Sequence, residues 1–254
     1  SGTFTIHVNG AATGFSSASG YSWPILSGTS VSGFDAARFA INTNNFTAPT
    51  AGGAFSVAQS TTNVVLVFTP AAPPAPTGLT ASDGSSTAHV ALNWTDGAGE
   101  TGYVVWRYTG DTPASATPIY TNAANTVTYN DTTANPGQIY YYWITATNAS
   151  GSSAKSASEF GHRKLATVSI TGATDGTDLT KVALTWTDIT GETGYGIWRH
   201  TSDSSGSATF LAGAAADATS ADDSTATLGQ QYYYWVRATN STSASQSDFQ
   251  ASGS

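Results

Sequence analysis

Phe4, Ile6 and Val8 alternate with Thr5 and His7, the two-residue period of a half-buried strand. Tyr21–Leu26 is a second short apolar run, and Gly33–Phe39 reads as a turn-rich joint. Ala54–Val57 and Asn63–Phe68 read as two strands separated by a polar turn, and no helix of normal length is predicted in this region. Further on, Val90, Leu92 and Trp94 alternate with small or polar residues. Tyr103, Val105 and Arg107 mark one face of the next strand, Val127 and Tyr129 another, and Tyr140, Tyr142, Ile144 and Ala146 a longer one that ends at an Asn148–Gly151 turn. Short strands at regular spacing with turn signals between them predict an antiparallel sandwich.

This second pattern occurs twice. Val90-Ala-Leu-Asn-Trp-Thr-Asp96 and Gly99-Glu-Thr-Gly-Tyr-Val-Val-Trp-Arg107 return 92 residues later as Val182-Ala-Leu-Thr-Trp-Thr-Asp188 and Gly191-Glu-Thr-Gly-Tyr-Gly-Ile-Trp-Arg199, without a gap through Asn148/Asn240. Between the first region and the repeats lies Pro70-Ala-Ala-Pro-Pro-Ala-Pro76, whose four prolines favour a semi-rigid polyproline II spacer. The predicted organisation is all-β: a β-rich module over 1–69, a linker over 70–76, and sandwiches over 77–162 and 163–254. Phe160–Lys164 is a short connector that predicts a limited hinge. The second copy departs from the first at Ala221 for Tyr129, Gly196 for Val104 and Arg237 for Thr145, which predicts poorer packing at its strand E edge.

The doubled Trp94/Trp186, Gly102-Tyr103/Gly194-Tyr195, and Tyr140-x-Tyr142-x-Ile144-x-Ala146-x-Asn148 with its copy Tyr232-x-Tyr234-x-Val236-x-Ala238-x-Asn240 resemble bacterial fibronectin type III domains, over 77–160 and 167–250. The resemblance implies immunoglobulin-like sandwiches in which strands C and F are neighbours in one sheet. Tyr21–Leu26, Gly33–Asp35, Phe39–Ile41, Asn45–Thr47, Gly53–Val57 and Val65–Pro70 resemble the C-terminal end of autotransporter-type β-helical repeats. That likeness implies upstream coils, and the absence of Met agrees with a processed form or a fragment.

Composition narrows the classes of function. Charged residues make up 9% of the chain and the net charge is −8, with eight Lys and Arg and no cluster of them. A groove that tracks nucleic-acid phosphates is not expected. No run is long or apolar enough for a membrane span. Without Cys there is no thiol or disulfide chemistry, and the Ser/Thr/Asn-rich, Lys-poor surface points to an extracellular or cell-surface setting. No cofactor motif is present, and no nucleophile elbow, zinc-binding His-Glu-x-x-His or phosphate loop occurs. The histidines are scattered, and Glu100 and Glu192 lie one per copy in the B–C turn, where solvated turn chemistry accounts for them. Asp175-Gly-Thr-Asp178 and Asp222-Asp223 carry oxygens that suit calcium, but no calcium-loop spacing, so turn chemistry is favoured and no metal site is predicted.

The aromatics carry more. Trp106 and Trp143 are out of phase with the core positions of strands C and F, so the outer face of that sheet is expected to carry them flanked by Tyr108 and Tyr141. Its copy is expected to carry Trp198, Tyr233 and Trp235 with Arg237. Three readings stand: an interface between molecules, a self-contained ladder that stiffens the sheet, or a sugar-stacking platform. Only three Lys are present to guard sheet edges, and Phe4, Ile6 and Val8 form either an ordinary strand or one that adds to a neighbour's sheet. Asn45, Asn93, Asn130, Asn148 and Asn240 lie in Asn-x-Ser/Thr motifs, of which Asn148 and Asn240, in F–G turns, are expected to be the most accessible; O-linked sugars are an equal alternative. The sequence predicts a non-enzymatic subunit or stalk of a surface fibre or filament, with itself as partner. The alternative is a non-catalytic carbohydrate-binding or adhesin accessory module whose partner is a polysaccharide.

Overall fold

A computed structural model describes residues 2–10, 13–243 and 245–249 of the chain. Among these, three short 3-10 turns, Ala36–Arg38, Pro113–Ser115 and Ser205–Ser207, are the only helical elements. No helix is long and apolar enough to cross a membrane.

The first module holds β1 (Phe4–Gly10), β2 (Tyr21–Ser27), β3 (Phe39–Phe46), β4 (Ala54–Gln59) and β5 (Asn63–Thr69). β1 and β3 pair in parallel, Phe4 opposite Phe39 and Ile6 opposite Ile41. β2, β5 and β4 form an antiparallel sheet with the most apolar run, β5, at its centre. Phe68 from β5 is fully buried, and Phe15 and Phe55 pack their rings on it at 4.9 and 5.0 Å. Of the stacked parallel coils that the β-helix likeness implies, the described residues show this one parallel pair. The proline spacer is not free in solvent: Pro70, Pro73 and Pro76 are buried.

Two sandwiches follow. The first sets β6 (Thr77–Ala81), β7 (Val90–Thr95) and β10 (Thr128–Asp131) against β9 (Thr117–Ala123), β8 (Gly102–Tyr108) and β11 (Tyr140–Asn148), the last bordered by β12 (Gly151–Ser152) and β13 (Glu159–Gly161). The second repeats this with β14 (Ile170–Ala173), β15 (Val182–Trp186) and β18 (Ser220–Asp223) against β17 (Thr209–Ala215), β16 (Gly194–His200), β19 (Tyr233–Asn240) and β20 (Ser245–Gln246). The period-2 pattern sends Val90, Leu92, Trp94, Tyr103, Val105, Tyr142, Ile144 and Ala146 into one core. Leu184, Trp186, Tyr195, Ile197, Tyr234, Val236 and Ala238 build the other. Leu165, three residues after His162, already belongs to that second core.

Each sandwich is bolted by one buried carboxylate. Asp131, at the end of β10, accepts from Arg107 Nη1 at 2.6 Å, Tyr142 Oη at 3.0 Å, and the Thr133 hydroxyl and amide at 2.7 and 2.9 Å. Asp223 repeats it with Arg199 at 2.6 Å, Tyr234 at 2.9 Å, and Thr225 at 2.7 and 2.9 Å. Both Asp side chains are fully buried. Asp223 therefore holds a strand junction and is not a free calcium ligand, and Asp222 beside it pairs with Lys181. Burial alone pushes the Asp131 carboxyl up, but the Thr133 and Arg107 hydrogen bonds with the Arg107 charge outweigh it and leave the group below the usual carboxylate range. Asp223 is lowered in the same way, with burial again offset by Thr225, Arg199 and Tyr234.

Removing either carboxylate strands a guanidinium and a phenol. Asp131→Ala and Asp223→Ala are each expected to cost about 3–5 kcal/mol in urea unfolding. Because the folded groups titrate below their unfolded value of about 3.9, the stability they lend is complete above that pH and is lost as pH falls through the lower folded values. Asp131→Asn should thus flatten the decline of stability below about pH 4. A decline as steep as that of the parent chain would show that Asp131 does not drive acid unfolding.

Candidate functional site

Strands C and F are neighbours, as the family likeness implies. In the first copy β8 and β11 run antiparallel with Trp106 opposite Trp143 and Tyr108 opposite Tyr141. None of the four belongs to the inner core, so they share the outer face. That face is closed, however. Trp143 is only 2% exposed. Tyr141 stacks on it, and Trp106 faces it from the next strand. The Trp106 indole N–H donates to Thr145 Oγ1 at 3.0 Å, and Lys155 Nζ sits 4.1 Å from the ring centroid. Lys155 reaches this position from the irregular run after β12, where the Ser153 and Ser156 amides return to strand F by donating to Ala146 O and Ile144 O. Tyr108 alone of the four is exposed.

The second copy closes the same face by other means. Trp235, opposite Trp198, is also 2% exposed. Trp198 packs edge-on against Phe210 and Phe249 at 5.4 and 5.1 Å. Arg237 lies 3.9 Å from the Phe249 ring, is held by Gln246 at 2.7 Å, and also faces Trp198. Gly196 is the condition for this: a Cβ there would lie 2.4 Å from the Trp198 ring. The substitutions that predict poorer packing are thus mutually fitted. Gly196 admits the leaning indole, and Arg237 covers it where Thr145 served the first copy. Tyr233, opposite His200, is half-buried.

Of the three readings, those that need open rings are corrected at Trp143 and Trp235, which are buried, while Lys155 lies over Trp106, and Phe210, Phe249 and Arg237 lie against Trp198. Lys155, Phe210 and Phe249 were not legible as members of the face. Phe210 lies on β17, and Lys155 and Phe249 in the irregular runs after strand F, where no period marks the outward side.

A second arrangement joins the modules. Asn148 Nδ2, in the F–G turn of the first sandwich, donates to Gly99 O of its own B–C turn at 2.8 Å and to Ala71 O of the spacer at 2.6 Å. Ser150 Oγ donates to Pro70 O at 2.5 Å. Asn240 Nδ2 donates to Gly191 O at 2.6 Å, and the first sandwich presses Pro136 and Gly137 against that pair. A Cβ on Gly137 would stand 2.6 Å from Gly191 O. The expected accessibility of Asn148 and Asn240 to glycans is therefore corrected: their amide nitrogens serve the joints, and Asn240 is buried. Asn45, Asn93 and Asn130 are exposed.

The connector is tighter than a limited hinge. Arg163 donates to Thr87 O and Ala134 O, Gly137 N donates to Arg163 O, and Lys164 pairs with Asp248 at 2.6 Å. Glu100, expected to be solvated, is buried beside Ser16–Ala18 of the first module. Its copy Glu192 accepts the Asp217 amide at 3.0 Å. Asp188, Glu192 and Asp217 bring carboxylate oxygens within 4.8 Å of one another. The first copy has Asp96, Glu100 and Asn125 at those positions, one carboxylate fewer. Burial pushes the Tyr103 phenol up to about 12, with Asp96 accepting its proton at 2.8 Å, so this end of the sandwich is sealed by a neutral tyrosine.

At the N-terminal side, Ile6 and Val8 are half-buried on β1 and Phe4 is 64% exposed, its ring 5.9 Å from Phe39. Among the described residues β1 pairs with β3 alone.

The chain aligns with a two-domain fibronectin type III segment of chicken tenascin over 70% of its own length and 97% of that chain, at 14% identity and a TM-score of 0.54. It also matches an Fn3-like protein from Clostridium thermocellum at 32% identity, over 37% of this chain and 95% of that one, with a TM-score of 0.33. A third match, to pectate lyase Pel3 of Pectobacterium carotovorum, has 25% identity and a TM-score of 0.30, over 32% of this chain and 25% of the enzyme. No protein-family model and no curated protein matches the sequence. The two sandwiches have the fibronectin type III fold.

Two outcomes follow from the closed faces and the joints. Trp143→Ala and Trp235→Ala should each cost about 3–5 kcal/mol in denaturant unfolding, as buried aromatics do; a cost below about 0.5 kcal/mol, the surface norm, would show that the face is open. Produced in a host that adds N-linked sugars, the chain should carry them at Asn45, Asn93 or Asn130 and not at Asn148 or Asn240, as read by glycopeptide mass spectrometry.

Proposed function

We propose that the chain is a non-enzymatic structural segment of an extracellular or cell-surface protein, a stiff stalk or spacer in a fibre whose modules pack end to end. The observation that carries this is the repeated joint. Each sandwich turns the same end, its B–C and F–G turns, towards the module before it, and the same Asn ties those turns together. Short joints held by hydrogen bonds transmit orientation from module to module, which suits a spacer. Copies then associate through β1, whose outer edge and Phe4 ring are available for strand addition.

A polysaccharide-binding accessory module is less well supported. Sugar stacking needs open ring faces, and Lys155, Phe249 and Arg237 already lie against Trp106 and Trp198.

Small-angle scattering should report one extended, rigid particle, and Asn148→Ala with Ser150→Ala should broaden its distance distribution. A parent profile that already fits freely jointed modules would remove the stalk reading. Light scattering should show association that rises with concentration and is suppressed by Ile6→Lys. Association insensitive to that change would take β1 out of the assembly.

A further inference from the structure

Glu100 stands in the B–C turn of the first sandwich, where the first module packs on it, and is only 8% exposed. Its carboxylate accepts no hydrogen bond and pairs with no cationic side chain among the described residues. The copy in the second sandwich is different. Glu192 is half-buried and accepts the Asp217 amide at 3.0 Å. An ionised carboxylate kept from water without a partner is strongly unfavourable, so the first copy holds the group whose position calls for a ligand.

The carboxylate lines a cavity of about 410 Å³ between the two modules. One wall comes from Ser16–Ala18 of the first module, another from Gly97–Thr101, and a third from Ala124 and Asn125. The cavity is framed by a bonded joint. Asn148 ties Gly99 O to Ala71 O, and a Cβ on Gly99 would lie 3.3 Å from the Ala51 side chain. A Cβ on Gly97 would lie 3.9 Å from Glu100 Oε2 and 3.4 Å from Tyr103 Oη, which itself donates to Asp96 Oδ1 at 2.8 Å. Two carboxylates thus flank one phenol beside the cavity. In the repeat, Asp96, Glu100 and Asn125 correspond to Asp188, Glu192 and Asp217, whose carboxylate oxygens lie within 4.8 Å of one another. Asn125 and Asp217 share a left-handed backbone, φ 58° and 59°. The first copy therefore has the same three side-chain oxygen donors with one charge fewer, and encloses its glutamate more deeply. No Lys or Arg lines the cavity to balance it.

We infer that Glu100, with Asp96 and Asn125, holds a calcium ion at the joint between the first module and the first sandwich. The donors are carboxylate and amide oxygens, and Ser17, Gly97 and Ala98 on the same walls add hydroxyl and carbonyl oxygens. Calcium takes six to eight such oxygens in a flexible arrangement and completes its shell with water, whereas magnesium demands a near-ideal octahedron. No nitrogen or sulfur ligand of the kind that selects zinc or copper is at hand. Two carboxylates and an open side place the affinity in the range of extracellular modules, about 10⁻⁴–10⁻³ M. Because Ser17 comes from the first module and Glu100 from the sandwich, the ion ties the two faces together. The inference is confined to this joint, since Glu192 already has a partner, and it stands whether or not the chain belongs to a fibre.

The test is a titration of the isotope-labelled full chain, stripped of metal by a chelator, with calcium chloride to about 10 mM, above the weak end of that range. Magnesium chloride serves as the comparison, and backbone amide signals are followed. Saturable shifts centred on Ser17, Gly97, Gly99 and Asn125 are expected with calcium and smaller ones with magnesium. Glu100→Gln keeps the shape of the side chain and should weaken calcium binding about tenfold or more, since affinity follows ligand charge. Asn125→Gly, which suits the left-handed backbone there, should weaken it as well. Unchanged signals from β11 and from the second sandwich would certify the fold of both variants. The inference is overturned by the absence of saturable shifts at these amides, by shifts confined to Asp188 and Asp217, by equal shifts with magnesium, or by shifts that survive Glu100→Gln. A failure of the stalk reading would appear in the scattering profile and leave this titration untouched.

Discussion

A single carboxylate at the seam of each sandwich is the constraint on which the rest of that domain depends. Asp131 ends strand E, Arg107 comes from strand C, and Tyr142 from strand F, so one buried group ties the three-stranded sheet to the opposite one. A desolvated ion pair adds little net stability over well-packed apolar residues, since taking both charges out of water offsets most of their attraction. Its effect is on register. A one-residue slip of β8 or β10 would turn Arg107 or Asp131 to the other face and leave a charge without a partner. With short strands and few charged residues elsewhere, that penalty separates the native pairing from its neighbours. Asp223, Arg199 and Tyr234 repeat the arrangement although much around them has changed.

The changes come in compensating groups. Tyr120 and Tyr129 stack at 4.3 Å across the open side of the first sandwich, and both are Ala, at 212 and 221, in the second. Either tyrosine alone would lose its partner. As alanines, both pack against the second core. Gly196 and Arg237 form a second such group. A sheet tolerates these exchanges because its backbone pairing does not depend on them, whereas a substitution at Asp223 would break contacts to two other strands and a turn at once.

Much of the fold was legible in the sequence because it rests on period-2 patterning and on a repeat. Val90, Leu92 and Trp94, with Tyr142, Ile144 and Ala146, point inward as their alternation requires, and the pairing of Trp106 with Trp143 follows from strands C and F being neighbours. What alternation cannot show is what lies above an outward residue. Lys155 covers the Trp106 ring and Phe249 packs on the Trp198 ring, both from irregular runs after strand F. The joints were hidden for a related reason: Asn148 and Asn240 look like exposed turn residues until the preceding module is placed against them. Asp131 and Asp223 carried a faint signal, since each recurs eleven residues before a core tyrosine, but an Asp at the end of a short strand looks like turn chemistry.

The allocation of positive charge connects these observations. The chain has eight Lys and Arg, and each has a structural partner. Arg107 and Arg199 hold the buried carboxylates, Lys155 and Arg237 cover tryptophan faces, Arg163 and Lys164 fix the connector, and Arg38 and Lys181 pair with Asp35 and Asp222. None remains to guard a sheet edge, the usual use of lysine on such proteins. The aromatic faces manage without that defence because they are covered from within the chain, and the ends of the sandwiches manage where the next module sits on them. Among the described residues, large apolar side chains stay exposed at Phe4 on β1, Leu26 on β2 and Phe210 on β17, and at Leu179 and Leu228 in turns of the second sandwich. A protein that protects its surfaces by packing instead of by charge is exposed only where packing stops, and those are the places where a neighbour has most to bury.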